Sequence, residues 1–164
     1  MQLAVFDIDG VLADVSHRRG LISAGRRDWA GFFAAAVDDT VLPDGAARVH
    51  RAVADGLLLV YLSGRPERLR AVTTNWLRDN GLPTADLVLR PDGDHSPAVE
   101  FKLGRLRVMA SGYTIALLVD DDEQVVVGVR SHDPPLATAV VLADWQPAGA
   151  RRALRRAQQD DGRT

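Results

Sequence analysis

Short apolar runs that stop abruptly on polar residues set the strongest constraint on this chain. Residues 3–6, 57–62, 87–89 and 114–119 are near-continuous hydrophobic stretches of strand length, and 138–142 makes a fifth. Such runs are typical of strands buried on both faces. Between them lie segments with apolar residues at helical spacing. Strand and helix in alternation predict an α/β layered fold, with a mostly parallel sheet of about five strands flanked by helices. Ligands of such sheets gather beyond the carboxyl ends of the strands. Asp7, Ser63 and Asp120 stand directly after the first, second and fourth runs, so a single composite site is expected.

The first run meets Asp7, Ile8, Asp9 and Gly10. In extended backbone, residues two apart point the same way. Two carboxylates sharing one space about 4 Å apart would repel by about 4 kcal/mol at an effective dielectric of about 20. A cation or a shared proton would relieve them. Gly10 lets the chain turn without placing a side chain in the site. Carboxylates suit two tasks here: one can attack phosphorus, and its neighbour can act as acid and base.

Residues 13–42 read as a small insertion, with Asp28 as a helix cap and Trp29, Phe32, Phe33 and Ala36 on one face. Arg18, Arg19, Arg26 and Arg27 make it locally basic, which suits either a solvated surface or contact with phosphates. A helix is expected over 46–54. The second run delivers Ser63, Gly64, Arg65 and Pro66; a hydroxyl, a glycine and a helix start make an anion site, with Pro66 at the first helical position. A helix over 67–80 should bury Leu69, Val72, Trp76 and Leu77. A third run leads to Arg90, and a helix over 97–110 carries Lys102, either exposed or turned inward toward the carboxylates. Its apolar stripe reads as Val99, Leu103, Leu106 and Met109.

The fourth run enters Asp120, Asp121, Asp122 and Glu123. A cap for the next helix, expected over 124–129 despite its valines, explains one of these acids. A magnesium site explains the others better, since hard cations take carboxylate oxygens. Residues 150–157 read as a basic amphipathic helix, with the last residues frayed.

The bulk properties exclude little beyond this. The 164 residues suit one domain, and the net charge of −2 gives no global field for nucleic acid. The absence of cysteine excludes disulfides and thiolate metal sites and fits a reducing, cytoplasmic setting. No apolar run is long enough to span a bilayer, and no secretion signal is visible.

Taken in order, Asp7/Asp9, Ser63, Lys102 and Asp120/Asp121 resemble the four motifs of the haloacid-dehalogenase (HAD) phosphohydrolases. More narrowly, the chain resembles the 3′-phosphatase domain of bacteriophage-type polynucleotide kinases. The finer likeness rests on His17-Arg18, on Asp28-Trp29 with Phe32, on Leu62 to Glu67, on Thr74 to Leu77, on Asn80 to Pro83, and on Leu89-Arg90, Gly93-Asp94 and Gln124 to Val126. The resemblance implies a Rossmann-like sheet over 1–148, with a small helical cap inserted at about 13–42, and a basic helix and tail over 149–164. It implies that Asp7 is the nucleophile and Asp9 the acid/base. Ser63 and Lys102 would hold the phosphoryl group. Mg2+ would be bound by Asp121, Asp7 and the Asp9 carbonyl, with Asp120 adjacent. Arg18, Gly64, Arg65 and Arg90 would contact substrate or support the site. The chain departs from the pattern at Ser96 and Ala98, where the pattern has Arg and Asp, and at Asp122, where it usually has Arg.

The expected activity is removal of 3′-phosphates from nucleic-acid or nucleotide ends by a Mg2+-dependent phosphomonoesterase. The alternatives are a small-molecule phosphatase or nucleotidase, and a non-catalytic phosphate-end binding module. No phosphate-binding loop of the kinase type is present, so a kinase activity would come from a separate chain or from a kinase domain removed from this one, and a ligase would be a separate partner.

Overall fold

The structure, a computed structural model, describes residues 1–23, 25 and 27–163. β1 (Gln2–Phe6) is followed by the small insertion, which holds β2 (Ala13–Asp14), α1 (Gly20–Ser23), α2 (Trp29–Ala34) and β3 (Thr40–Val41). The body continues with α3 (Pro43–Ala54), β4 (Leu58–Pro66), α4 (Arg70–Asp79), β5 (Asp86–Arg90) and α5 (Ala98–Gly112). It ends with β6 (Thr114–Asp120), α6 (Glu123–Ser131), β7 (Ala139–Leu142) and α7 (Ala148–Asp161). The main sheet has the order β5-β4-β1-β6-β7, and every pairing in it is parallel. β2 and β3 form a separate antiparallel ribbon.

The apolar run of β1 explains its central place. Alternate residues face opposite sides of a sheet. Ala4 and Phe6 join Val49, Ala52, Tyr61, Trp76 and Leu77 beneath α3 and α4. Leu3 and Val5 join Phe101, Leu106, Val125 and Val129 beneath α5 and α6. A third cluster lies above the carboxyl ends, where Val15, Ile22, Phe32 and Phe33 of the insertion pack on Ala150, Leu154 and Ala157 of α7. No described helix is long and apolar enough to cross a membrane.

Several local expectations shift. β4 runs on through Ser63, Gly64 and Arg65 to Pro66, which is extended (φ −69°, ψ 151°) and pairs with Arg90. Helix α4 therefore starts later than the proline suggested, at Arg70 after a 3-10 turn over Glu67–Leu69. α5 packs Val99, Leu103, Leu106 and Met109 of the expected stripe against the core and buries Phe101 and Lys102 beside them, so its buried face is wider than that stripe. α6 forms despite its valines. Asp122 accepts from the Gln124 amide at 2.8 Å, and Val125, Val126 and Val129 are buried. Packing overrides intrinsic propensity there. α7 continues to Asp161 rather than fraying near 157, because Arg27 of the insertion pairs with both Asp160 and Asp161 at 2.6 Å.

Candidate active site

Asp7 and Asp9 follow directly on β1, flanked by the ends of β4 and β6, and both are buried. Their carboxylates enter two compartments of different charge. Lys102, 0 % exposed, donates from Nζ to Asp7 Oδ2 at 2.7 Å and to Asp120 Oδ2 at 2.9 Å. The other Asp7 oxygen accepts from the Ile8 amide at 2.7 Å. Asp121 completes this side: Asp7, Asp120 and Asp121 each offer an oxygen within 4.8 Å of the others'. Three carboxylates against one ammonium leave two negative charges without a counter-ion, which is the charge of a divalent cation. Hard oxygen donors of this type suit Mg2+. Burial drives the Asp7 carboxyl up to about 7; Lys102 opposes this and Asp120 adds to it. Burial also raises Asp121 well above the usual carboxylate range, with Asp7 and Asp120 adding to the effect.

Asp9 belongs to the second compartment. Its Oδ1 accepts from Arg18 Nη2 at 2.7 Å and from Arg65 Nη2 at 2.6 Å. Both guanidiniums also reach Asp39: Arg18 through Nε at 2.7 Å and Nη2 at 2.6 Å, and Arg65 through Nη2 at 2.9 Å. Two buried acids and two buried arginines thus offset each other. Burial alone would raise the Asp9 carboxyl, but Arg18 and Arg65 more than reverse this and hold it far below the ordinary range. Asp9 Oδ2 has no hydrogen-bond partner among the described residues. The Asp9 side chain therefore stands apart from the carboxylates that could share an ion, contrary to the simple picture of two acids around one cation.

Asp39 carried no signal in the sequence, where it is one of two adjacent acids within the insertion. Its backbone carbonyl accepts from Trp76 Nε1 at 2.7 Å, and its carboxylate also contacts His17 Nε2 at 2.8 Å. Gln158, from the helix expected to fray, lies against Asp121 and was likewise missed. Of the arginines read as a basic surface, Arg18 is internal, Arg27 pairs with α7, Arg19 is exposed and Arg26 lies outside the described residues.

Ser63 is buried at the end of β4, and its Oγ accepts from the Arg65 amide at 3.3 Å. Arg90 donates from Nη2 to the Gly162 carbonyl at 3.2 Å, and burial lowers its pKa. Gly64 and Arg90 line a cavity of about 190 Å³ together with Trp29, Phe33, Arg68 and Asp94. Its walls are aromatic and cationic, and Gly64, next in sequence to Ser63, is one of them. Three hollows are larger: two, of about 510 and 490 Å³, lie at the amino ends of the strands, away from these acids, and a third, of about 360 Å³, is lined by Glu100, Asp122, Gln158 and Gly162.

Comparison with known proteins agrees with this arrangement. The family described as the polynucleotide kinase PNKP phosphatase domain matches residues 1–134. Nothing among curated proteins matches the chain. Among solved structures, the Pnkp1/Rnl/Hen1 complex is similar at a TM-score of 0.71 and 22% identity, covering 88% of this chain and 46% of that one. The class C acid phosphatase from Bacillus anthracis with tungstate bound gives 0.66 at 15% identity, covering 94% and 78%. The D,D-heptose 1,7-bisphosphate phosphatase from B. bronchiseptica, complexed with magnesium and phosphate, gives 0.52 at 16% identity, covering 97% and 99%. At these identities the likeness shows a shared fold. The present chain spans less than half the length of the chain it matches in that complex.

Proposed function

This chain belongs to the polynucleotide kinase PNKP phosphatase-domain family, and on that footing we propose that it removes the terminal phosphate from nucleic-acid or nucleotide 3′ ends, using Mg2+ and a phosphorylated Asp7. The observation that carries the reading is the division of the site. An anionic compartment short of two positive charges adjoins a balanced one whose acid keeps one oxygen free.

An Asp7 oxygen attacks phosphorus while the bond from phosphorus to the nucleoside 3′-oxygen breaks, giving an acyl phosphate on Asp7. Splitting the displacement in two lowers each barrier. Asp9 Oδ2 is the oxygen available to protonate the departing alkoxide. In the free protein Arg18 and Arg65 keep Asp9 ionised. The incoming phosphate dianion competes for the same arginines, and as their hold slackens the carboxylate takes up a proton from solvent. Once the alcohol leaves, Asp9 takes a proton from water, which attacks the acyl phosphate and frees Asp7. Lys102 holds Asp7 in place and offsets charge on the transferring group, and Ser63 binds one of its oxygens. Asp7, Asp121 and the Asp9 carbonyl, with Asp120 nearby, would hold Mg2+, which when bound would supply further positive charge to the phosphoryl oxygens.

Arg90, Gly64, Trp29 and Phe33 line the approach, where cations meet the phosphodiester and rings meet bases. The insertion over about 13–42 acts as the cap, and α7 closes the site from behind. A solved structure with the same fold is the Pnkp1/Rnl/Hen1 RNA repair complex, which supports a role in end repair beside kinase or ligase partners.

The test is phosphate release in Mg2+ from 3′-phosphorylated oligonucleotides, free nucleoside monophosphates and sugar phosphates. The highest kcat/KM should fall on the oligonucleotides. A preference for 5′-nucleotides or sugar phosphates would overturn the 3′-end assignment.

A further inference from the structure

We infer that Gln158, on α7, is a positioning residue for the divalent ion: its carboxamide holds the Asp121 carboxylate in the orientation that binds the ion. The inference rests on the ion assignment just proposed. It concerns a helix that lies beyond the stretch matched by the family.

Lys102 serves Asp7 and Asp120 and does not bond to Asp121. Among the described residues, the side chain bonded to Asp121 is Gln158, whose Nε2 lies 3.4 Å from Oδ1 and 3.3 Å from Oδ2. With the ion bound, the Asp121 carboxylate only accepts hydrogen bonds, and the amide end of Gln158 is the end that faces it. Both residues are buried.

The surrounding chain fixes this contact. Leu154 sits one helical turn before Gln158 and on the same face. Gly10 has a φ of +81°, and a Cβ there would come within 2.6 Å of Asp121 Oδ2 and 3.1 Å of Leu154 Cδ2. Asp121, α7 and the turn after Asp9 therefore converge at the one residue without a side chain. At the end of α7, the Gly162 carbonyl accepts from the Ala98 amide at 2.6 Å. That bond ties the helix to the start of α5, which carries Lys102.

A neutral donor suits the position. A lysine or arginine there would supply the missing positive charge itself and compete with the ion. An apolar side chain would leave the carboxylate free to rotate. Residues that orient a metal ligand typically change affinity 10- to 100-fold when lost.

The experiment is isothermal titration calorimetry of Mg2+ into the full chain, with thermal melting of the ion-free proteins alongside. Wild type should bind, and Asp121→Asn should not; failure of wild type to bind would overturn the ion assignment itself. Gln158→Leu should bind about 10- to 100-fold more weakly with little change in ion-free melting. Gln158→Asn keeps the donor but falls one methylene short, so it should weaken binding in the same direction. It stands in if the leucine variant does not fold. Wild-type affinity in either folded variant would overturn the role of Gln158.

Discussion

Replacing Asp39 with Asn removes one charge from the balanced compartment and nearly no volume. Arg18 and Arg65 would then face only Asp9, with both guanidiniums still buried. Removing one partner from a buried ion pair costs about 3–5 kcal/mol, because the remaining charge stays desolvated and uncompensated. For a chain of this size each kcal/mol moves the melting temperature by about 2–4 °C, so Tm should fall by about 6–20 °C. Activity should fall as well. Both arginines would be drawn onto Asp9, and a displacement of about 1 Å in a reacting group can cost about 100-fold in rate. The assay is thermal denaturation by circular dichroism, paired with phosphate release measured well below the new Tm. Adding Arg18→Met to Asp39→Asn restores neutrality and should recover part of the lost Tm, though not the activity. A Tm drop below about 3 °C, or a double variant no more stable than the single one, would refute the four-charge unit.

Two further outcomes are expected. Asp7→Asn should abolish turnover while leaving the fold intact, because it removes the attacking oxygen together with one of three clustered negative charges; near-normal release would mean that another group attacks. The pH dependence of stability should be reversed by metal. The Asp7 carboxyl is raised from 3.8 to about 7 in the ion-free fold, so between those values the folded state binds more protons than the unfolded chain, and stability falls as pH rises through that window. The ion-free Tm should therefore be higher at about pH 5 than at about pH 8, and Mg2+ should stabilise most at the higher pH. A Mg2+-induced shift that is equal at both values would contradict this.

Much of the site can be read directly from residues 1–120, because the residues that carry it sit at strand ends. An apolar run that halts on Asp7 or Asp120 signals both a buried strand and a chemical purpose. Asp39 gives no such signal: it follows Asp38 in an irregular segment, and its partners Arg18, Arg65 and Trp76 are 21, 26 and 37 residues away. Gln158 is hidden for another reason. It lies in a helix dominated by arginine, where a glutamine reads as surface. Pro66 misleads because a proline suits a first helical turn as readily as a strand end, and only pairing with β5 decides between them. Lys102 could have faced either way. Its inward turn is decided by the acids it meets, which come from β1 and β6 and not from its own helix.

The apolar seam between the insertion and α7 has a consequence for truncation. A chain ended at residue 134, where family likeness stops, would keep all four phosphatase motifs but lose the edge strand and the helix that covers Ile22, Phe32 and Phe33. Exposing one such side chain costs about 1.5–3 kcal/mol, so three together rival the entire 5–15 kcal/mol, roughly, that holds a domain folded. The minimal foldable fragment is therefore longer than the recognisable one, and a boundary drawn around the motifs would carry the full set of reactive groups on a chain unable to assemble them.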